Sequence, residues 1–206
     1  MTYRLVCDCI PSGIRVAEPK HSFLFADLVG FTALAELEGD DRALEVALGL
    51  QRRVRLLLDD HEAEQVKAIG DGLMLRCTKA SAAVALGLRM VEFATEPGFP
   101  PVRVGVHTGP ALASEGDWYG RTVNVAARLC AVAPVGQVLV SEATRAAAGR
   151  MRGVDYSERE LHWLRNVSEP IGTYLVQADQ DPGGGSVRAA LAPALGLGVR
   201  ASEAMA

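Results

Sequence analysis

The sequence predicts an α+β fold, a mixed α/β layer in which helices pack against a central sheet. Three observations predict it. Short apolar runs bounded by Gly, Pro and Asp alternate with segments of helical periodicity. The runs come in the order βα, ββ, αβ, βα, ββ, which joins hairpins with helical crossovers. The composition, 49% hydrophobic and 22% charged over 206 residues, suits one globular domain with short extensions.

Each element has its own signal. Residues 1–20, with Pro11, Gly13 and Pro19, read as an N-terminal lead-in segment. "HSFLFADLVGFT" gives a short apolar strand ending at Asp27, with Gly30 marking the turn. In "DDRALEVALGLQRRVRLLLDDHEA", Leu44, Ala47, Leu48, Val54 and Leu58 recur at helical spacing and predict one long amphipathic helix. "VKAIGDG" then places Asp71 at the tip of a tight hairpin. Glycines on both sides of Asp71 argue against a helix there, so Lys67 and Asp71 are not a helical i,i+4 ion pair despite their spacing.

"SAAVALGLRMVEFATE" reads as a second helix ended by Pro97, Gly98 and Pro100. "PVRVGVHTGPALAS" alternates like a strand, with a turn at "HTGP". "TVNVAARLCAVA" predicts a third helix stopped near Pro134, and "GQVLVSEATRAAAG" a strand with a short helix. "ERELHWLRNVSEPIGTYLVQ" reads as two closing strands joined by a turn. The domain therefore occupies 21–178, and the Gly- and Ala-rich residues 179–206 read as a flexible tail.

Charge and cysteine usage narrow the function classes. A net charge of −4 gives no footprint for nucleic acid, which calls for a clustered basic face. Cys7 and Cys9 form a C-x-C pair without the second close pair that a zinc site needs, so these two, Cys77 and Cys130 read as free thiols of a reducing cytosol. No apolar run approaches the ~20 residues of a spanning helix. The N-terminus lacks the pattern of a signal peptide, and the expectation is a cytoplasmic protein.

Three constellations bear on chemistry. Asp27 and Asp71 each end a strand beside a glycine turn, where two carboxylates can converge on a hard divalent cation; taken alone, they read more readily as unrelated turn aspartates. "LVGFT" turns from strand into helix, and free N–H groups at Gly30, Phe31 and Thr32 would suit a phosphate, although Thr32 could be an ordinary N-cap. Asn124 and Arg128, four apart on a predicted helix, share one face and could hold a ribose and a charged phosphate, or form a solvated stripe.

Taken together, "FLFADLVGFT", "VKAIGDG", "VRVGVHTGP" and "DWYGRTVNVAARL", in this order, resemble the catalytic domain of class III adenylyl and guanylyl cyclases, in the compact bacterial form. The resemblance spans His21 to Gln177. It implies a ferredoxin-like βαββαβ fold and two Mg²⁺ or Mn²⁺ ions per active site. Asp27 and Asp71 match the metal aspartates, assisted by the Leu28 carbonyl. Lys67 and Asp117 match the pair that reads the base, and Asn124 and Arg128 the transition-state residues. The backbone of Gly30, Phe31 and Thr32 would cradle the triphosphate. Where the family usually has "LKG", this chain has "LRN", which leaves Arg165 as the nearest cation for the polyphosphate.

The resemblance further implies a head-to-tail homodimer in which each site takes its metal aspartates from one chain and its base-reading and transition-state residues from the other. Lys67 and Asp71 would then serve opposite sites. Adenine offers an acceptor at N1 and a donor at its 6-amino group, which an ammonium and a carboxylate complement; guanine reverses both. The expected reaction is ATP to 3′,5′-cyclic AMP and pyrophosphate. A guanylyl cyclase and a turnover-deficient nucleotide- or partner-binding module are the alternatives.

Overall fold

The computed structural model describes residues 19–96 and 98–179, so residues 1–18, Pro97 and residues 180–206 lie outside it. Most of the lead-in, with Cys7 and Cys9, and nearly all of the tail therefore fall beyond the described chain. The chain opens with β1 (Lys20–Leu28), α1 (Phe31–Glu38) and α2 (Asp40–Leu58). The hairpin β2 (Ala63–Ile69) and β3 (Gly72–Cys77) follows, then α3 (Ala80–Phe93) and β4 (Val102–Pro110). A separate ribbon, β5 (Leu112–Ser114) with β6 (Asp117–Tyr119), precedes α4 (Arg121–Val132). The chain closes with β7 (Val138–Ser141), α5 (Glu142–Ala148), β8 (Val154–Tyr156), β9 (Glu160–His162) and β10 (Ile171–Ala178).

The main sheet runs β2-β3-β1-β4-β7-β10-β8, with β9 also on β10. Its first four strands have the order of a ferredoxin-like βαββαβ unit, and β4 pairs parallel with β7 while the other pairings recorded are antiparallel. Successive strand residues face opposite sides, and both sides are used. Leu24 packs with Val46, Leu50 and Val54 of α2 and Val84 and Leu86 of α3. Phe23, next to it, packs with Met74 and with Val123 and Ala126 of α4. Gly105 brings α4 against β4: a methyl group there would lie 2.0 Å from the Cys130 nitrogen.

The expected long helix is α2, preceded by the separate short helix α1, with Gly39 at φ 89 between them. Three sequence expectations need correction. The buried stripe of α2 is Ala43, Val46, Ala47, Leu50 and Val54, so Leu44 and Leu48 lie on its outer side, 57% and 40% exposed. No turn occurs at "HTGP". β4 runs through it in register with β1, Lys20 opposite Pro110 and Phe23 opposite His107. Buried bonds hold that extension, Ser22 Oγ to Thr108 Oγ1 at 2.9 Å and His107 Nδ1 to Ser141 Oγ at 2.7 Å. Pro110 is tolerated because it is the last strand residue. Finally, β6, which Asp117 begins, and the edge strand β8 are additional to the expected elements.

Candidate active site

The β2–β3 hairpin closes through Gly70 and Asp71, with Gly70 at φ 61 in the first turn position, where a two-residue hairpin favours glycine. The tip thereby brings Asp71 to the end of β1. Its approach is close: a methyl on Gly72 would lie 3.4 Å from the Ala26 carbonyl and 3.7 Å from Asp27 Oδ1. Burial raises the Asp71 carboxyl above the usual aspartate range, and the adjoining Asp27 carboxylate adds to the rise, against its own backbone N–H and Arg103. Two adjoining carboxylates form a seat for a cation of hard-oxygen preference, and the donor set fits Mg²⁺ or Mn²⁺. Leu28, whose carbonyl the sequence reading adds to that seat, is the last residue of β1 beside them. Among the described residues no group of three or more His, Cys, Asp or Glu side chains converges, so substrate oxygens and water would complete any coordination shell.

Arg103 is the residue that the sequence reading missed. It stands opposite Asp27 in the β1–β4 ladder and donates from Nε and Nη2 to Asp27 Oδ2, at 2.9 and 2.6 Å. Its Nη1 donates to the Ala131 carbonyl at 3.1 Å. Strand alternation in "VRVGVHTGP" was visible, but the register that sets Arg103 beside Asp27 was not. A cavity of about 270 Å³ opens beside the pair, walled by Phe25, Leu73, Ala127 and Cys130 among others. Burial pushes the Cys130 thiol up to about 12, so it is an inert wall rather than a nucleophile.

At the start of α1, Gly30 is the N-cap residue at φ 81, and no side chain caps the helix. Thr32 is therefore not the cap; it lies exposed in the first turn with Phe31. The N–H groups of this turn are left to an outside acceptor.

Lys67 bonds to Asp117, not to Asp71: Lys67 Nζ lies 2.5 Å from Asp117 Oδ2, and the Trp118 N–H donates to Asp117 Oδ1 at 2.8 Å. The hydrogen bond from Lys67 holds the Asp117 carboxyl below the usual range, with the Trp118 N–H adding to it. The ion pair joins two sheets, since Lys67 is on β2 and Asp117 on β6.

Asn124 and Arg128 share the outer side of α4, whose inner side buries Val125, Ala126 and Leu129. Asn124 is exposed and Arg128 half-buried. Arg165 is exposed in the connection between β9 and β10. Asn166 after it has φ 58, a left-handed conformation that asparagine tolerates. The "LRN" turn thus keeps a conformation that suits glycine in "LKG". Asp71, Lys67, Asp117, Asn124 and Arg128 all lie outside the lining of the cavity beside Asp27.

Comparisons with known proteins place the chain in a family. The model of the adenylate and guanylate cyclase catalytic domain matches residues 17–178. The chain is 40% identical over 129 residues to a pH-sensitive adenylate cyclase of Mycobacterium tuberculosis, covering 61% of this chain and 32% of that protein. It is 34% identical over 120 residues to an adenylate cyclase of Streptomyces griseus, covering 58% and 30%. Among solved structures, an adenylate cyclase of Trypanosoma brucei in its monomeric state superposes with a TM-score of 0.65 at 25% identity, covering 79% of this chain and 91% of that one. The chain spans about a third of the length of these curated relatives. No helix among the described residues is long and apolar enough to cross a membrane.

Proposed function

Because the chain belongs to the adenylate and guanylate cyclase catalytic domain family, we propose that it converts ATP to 3′,5′-cyclic AMP and pyrophosphate at sites shared between two copies arranged head to tail. The catalytic domain is assigned to 21–178. One observation supports the shared-site reading: on a single hairpin, Lys67 engages Asp117 of β6 while Asp71 adjoins Asp27 of β1.

In the reaction the ribose 3′-oxygen attacks the α-phosphorus and pyrophosphate leaves. Two Mg²⁺ or Mn²⁺ ions, when bound, would activate the attacking oxygen and neutralise the leaving group. Asp27 and Asp71, with the Leu28 carbonyl, would hold them. Arg103, the present counter-ion of Asp27, would turn to the phosphates once cations take its place, so the corner stays charge-balanced in both states. The uncapped first turn of α1 at Gly30, Phe31 and Thr32 offers N–H groups to the triphosphate, and Arg165 supplies a further cation. From the partner copy, Asn124 would orient the ribose and Arg128 would stabilise charge at the α-phosphate. Lys67 would donate to adenine N1, and Asp117 would accept from the 6-amino group.

The ion pair favours ATP over GTP. Guanine would set a donor against Lys67 and an acceptor against Asp117, and each unmet buried group costs about 1–3 kcal/mol. Purified protein assayed with ATP and with GTP, each with Mg²⁺ or Mn²⁺, tests the reading. Cyclic AMP and pyrophosphate in equal amounts, with ATP preferred, is the expected result. Cyclic GMP as the main product would make the chain a guanylyl cyclase, and nucleotide binding without product would make it a binding module.

A further inference from the structure

Resting on that reading, we infer that Trp118, clamped by Arg76 and Glu64, is a positioning residue that sets the Lys67–Asp117 pair and so determines base selectivity. Asp117 sits on a ribbon whose two strands have three residues each and pair only with each other. No backbone ladder ties this ribbon to β2, which carries Lys67. The ion pair alone is a weak tie, because the Lys67 and Asp117 side chains are 39% and 24% exposed, and pairs open to solvent contribute little.

The Trp118 side chain supplies what backbone pairing does not. Its backbone N–H, which any residue here would offer, donates to Asp117 Oδ1 at 2.8 Å, so the position in which the ring holds Trp118 sets the aim of the carboxylate. Its ring lies under the Arg76 guanidinium, with Cζ 4.7 Å from the centroid, and its Nε1 donates to Glu64 Oε1 at 3.3 Å. Arg76 Nη1 donates to the same Glu64 oxygen at 3.2 Å, which closes a triangle between β2, β3 and β6. His21 and Phe23 of β1 also pack against the ring, tilted 55° and 59° to it, at 4.5 and 5.6 Å between centroids. Trp118 is thus held from three strands of the main sheet, and with the Lys67–Asp117 pair it registers the small ribbon against that sheet. Cation–π and aromatic contacts of this kind are directional. Their loss would let Asp117 drift while leaving Asp27, Asp71, Asn124 and Arg128 in place.

The test measures kcat and KM for ATP and GTP in Trp118→Leu, Trp118→Phe, Arg76→Met and Asp117→Ala. Trp118→Leu should lower the ATP-over-GTP ratio of kcat/KM about tenfold, the worth of one aligned hydrogen bond. The loss should fall on KM for ATP more than on kcat. Trp118→Phe, which keeps a ring under Arg76, should restore most of the ratio. Arg76→Met leaves the tryptophan in place and should shift the ratio in the same direction, so the inference stays testable if Trp118→Leu does not fold. In the Asp117→Ala background Trp118→Leu should have no further effect on the ratio. If Asp117→Ala collapses the ratio while Trp118→Leu and Arg76→Met preserve it, or lower only kcat or the melting temperature, the clamp is overturned and the base-reading assignment survives. If Asp117→Ala itself leaves the ratio unchanged, that assignment fails and the clamp fails with it.

Discussion

Lys67 and Asp71 stand four residues apart on one hairpin, yet they belong to corners that are built differently. Asp71 reaches Asp27, and Asp27 is held by Arg103 across a β1–β4 ladder paired without interruption from Lys20 opposite Pro110 to Leu28 opposite Val102. Lys67 reaches Asp117, whose strand makes no backbone pair with the main sheet and is registered against it by side chains. Continuous pairing resists local displacement, whereas a side-chain contact can be re-made by one substitution. On the proposed function, the difference teaches that turnover chemistry would be anchored in the backbone and the choice of base in replaceable contacts. Specificity should therefore be easier to change than catalysis.

The largest effect expected from this contrast is at the ladder-held corner. Asp27→Ala or Asp71→Ala should lower kcat at least about a thousandfold, since the seat of ions worth several kcal/mol is lost. Circular dichroism and melting temperature should stay close to wild type, because both carboxylates sit at strand ends outside the core. Near-normal turnover in either variant would break the contrast at its stronger side.

A smaller effect is expected at the contact-held corner. Lys67→Glu with Asp117→Cys should move preference from ATP toward GTP while product formation persists, read as the ratio of kcat/KM for the two nucleotides. If the double variant kept full ATP preference, those side chains would not be reading the base.

The smallest effect concerns stability. The folded Asp71 carboxyl titrates above its unfolded value, so the folded chain holds that proton more tightly. The stability this contributes is present below the unfolded range and is lost as pH rises through the folded value, leaving ionised Asp71 a net cost at neutral pH. Asp71→Asn should therefore melt slightly higher than wild type at pH 7, and the gain should shrink as pH falls toward about 4. Added Mg²⁺ should stabilise wild type more than the variant. A variant that melts lower at pH 7 would contradict the opposed-carboxylate geometry.

How much of this could be read from the sequence follows the same division. The hairpin at Asp71, the glycine turn after β1 and the polar side of α4 have local signals, and each appears where residue pattern places it. Arg103 had no such signal, because its role depends on strand register between residues 76 apart. The β5–β6 ribbon and β8 are three-residue strands at the surface, too short for alternation to register. "HTGP" misled because Gly and Pro read as a turn, whereas Gly109 makes room for the Thr122 hydroxyl and Pro110 merely ends the strand. Leu44 and Leu48 misled because α2 carries leucines on its solvent side as well as on its buried one.

Mixing two inactive variants tests the shared site most directly. Asp27→Ala keeps Lys67, Asp117, Asn124 and Arg128, while Asn124→Ala with Arg128→Ala keeps Asp27 and Asp71. A heterodimer would rebuild one intact site and leave the other damaged twice over. With random pairing about half the dimers are mixed and each carries one good site of two, so activity should recover to roughly a quarter of wild type under closed two-fold assembly. Differently tagged chains that co-purify would establish that exchange had occurred. Recovery near that level is the expected result; mixtures that stay inactive despite proven heterodimers would contradict a site shared between two chains.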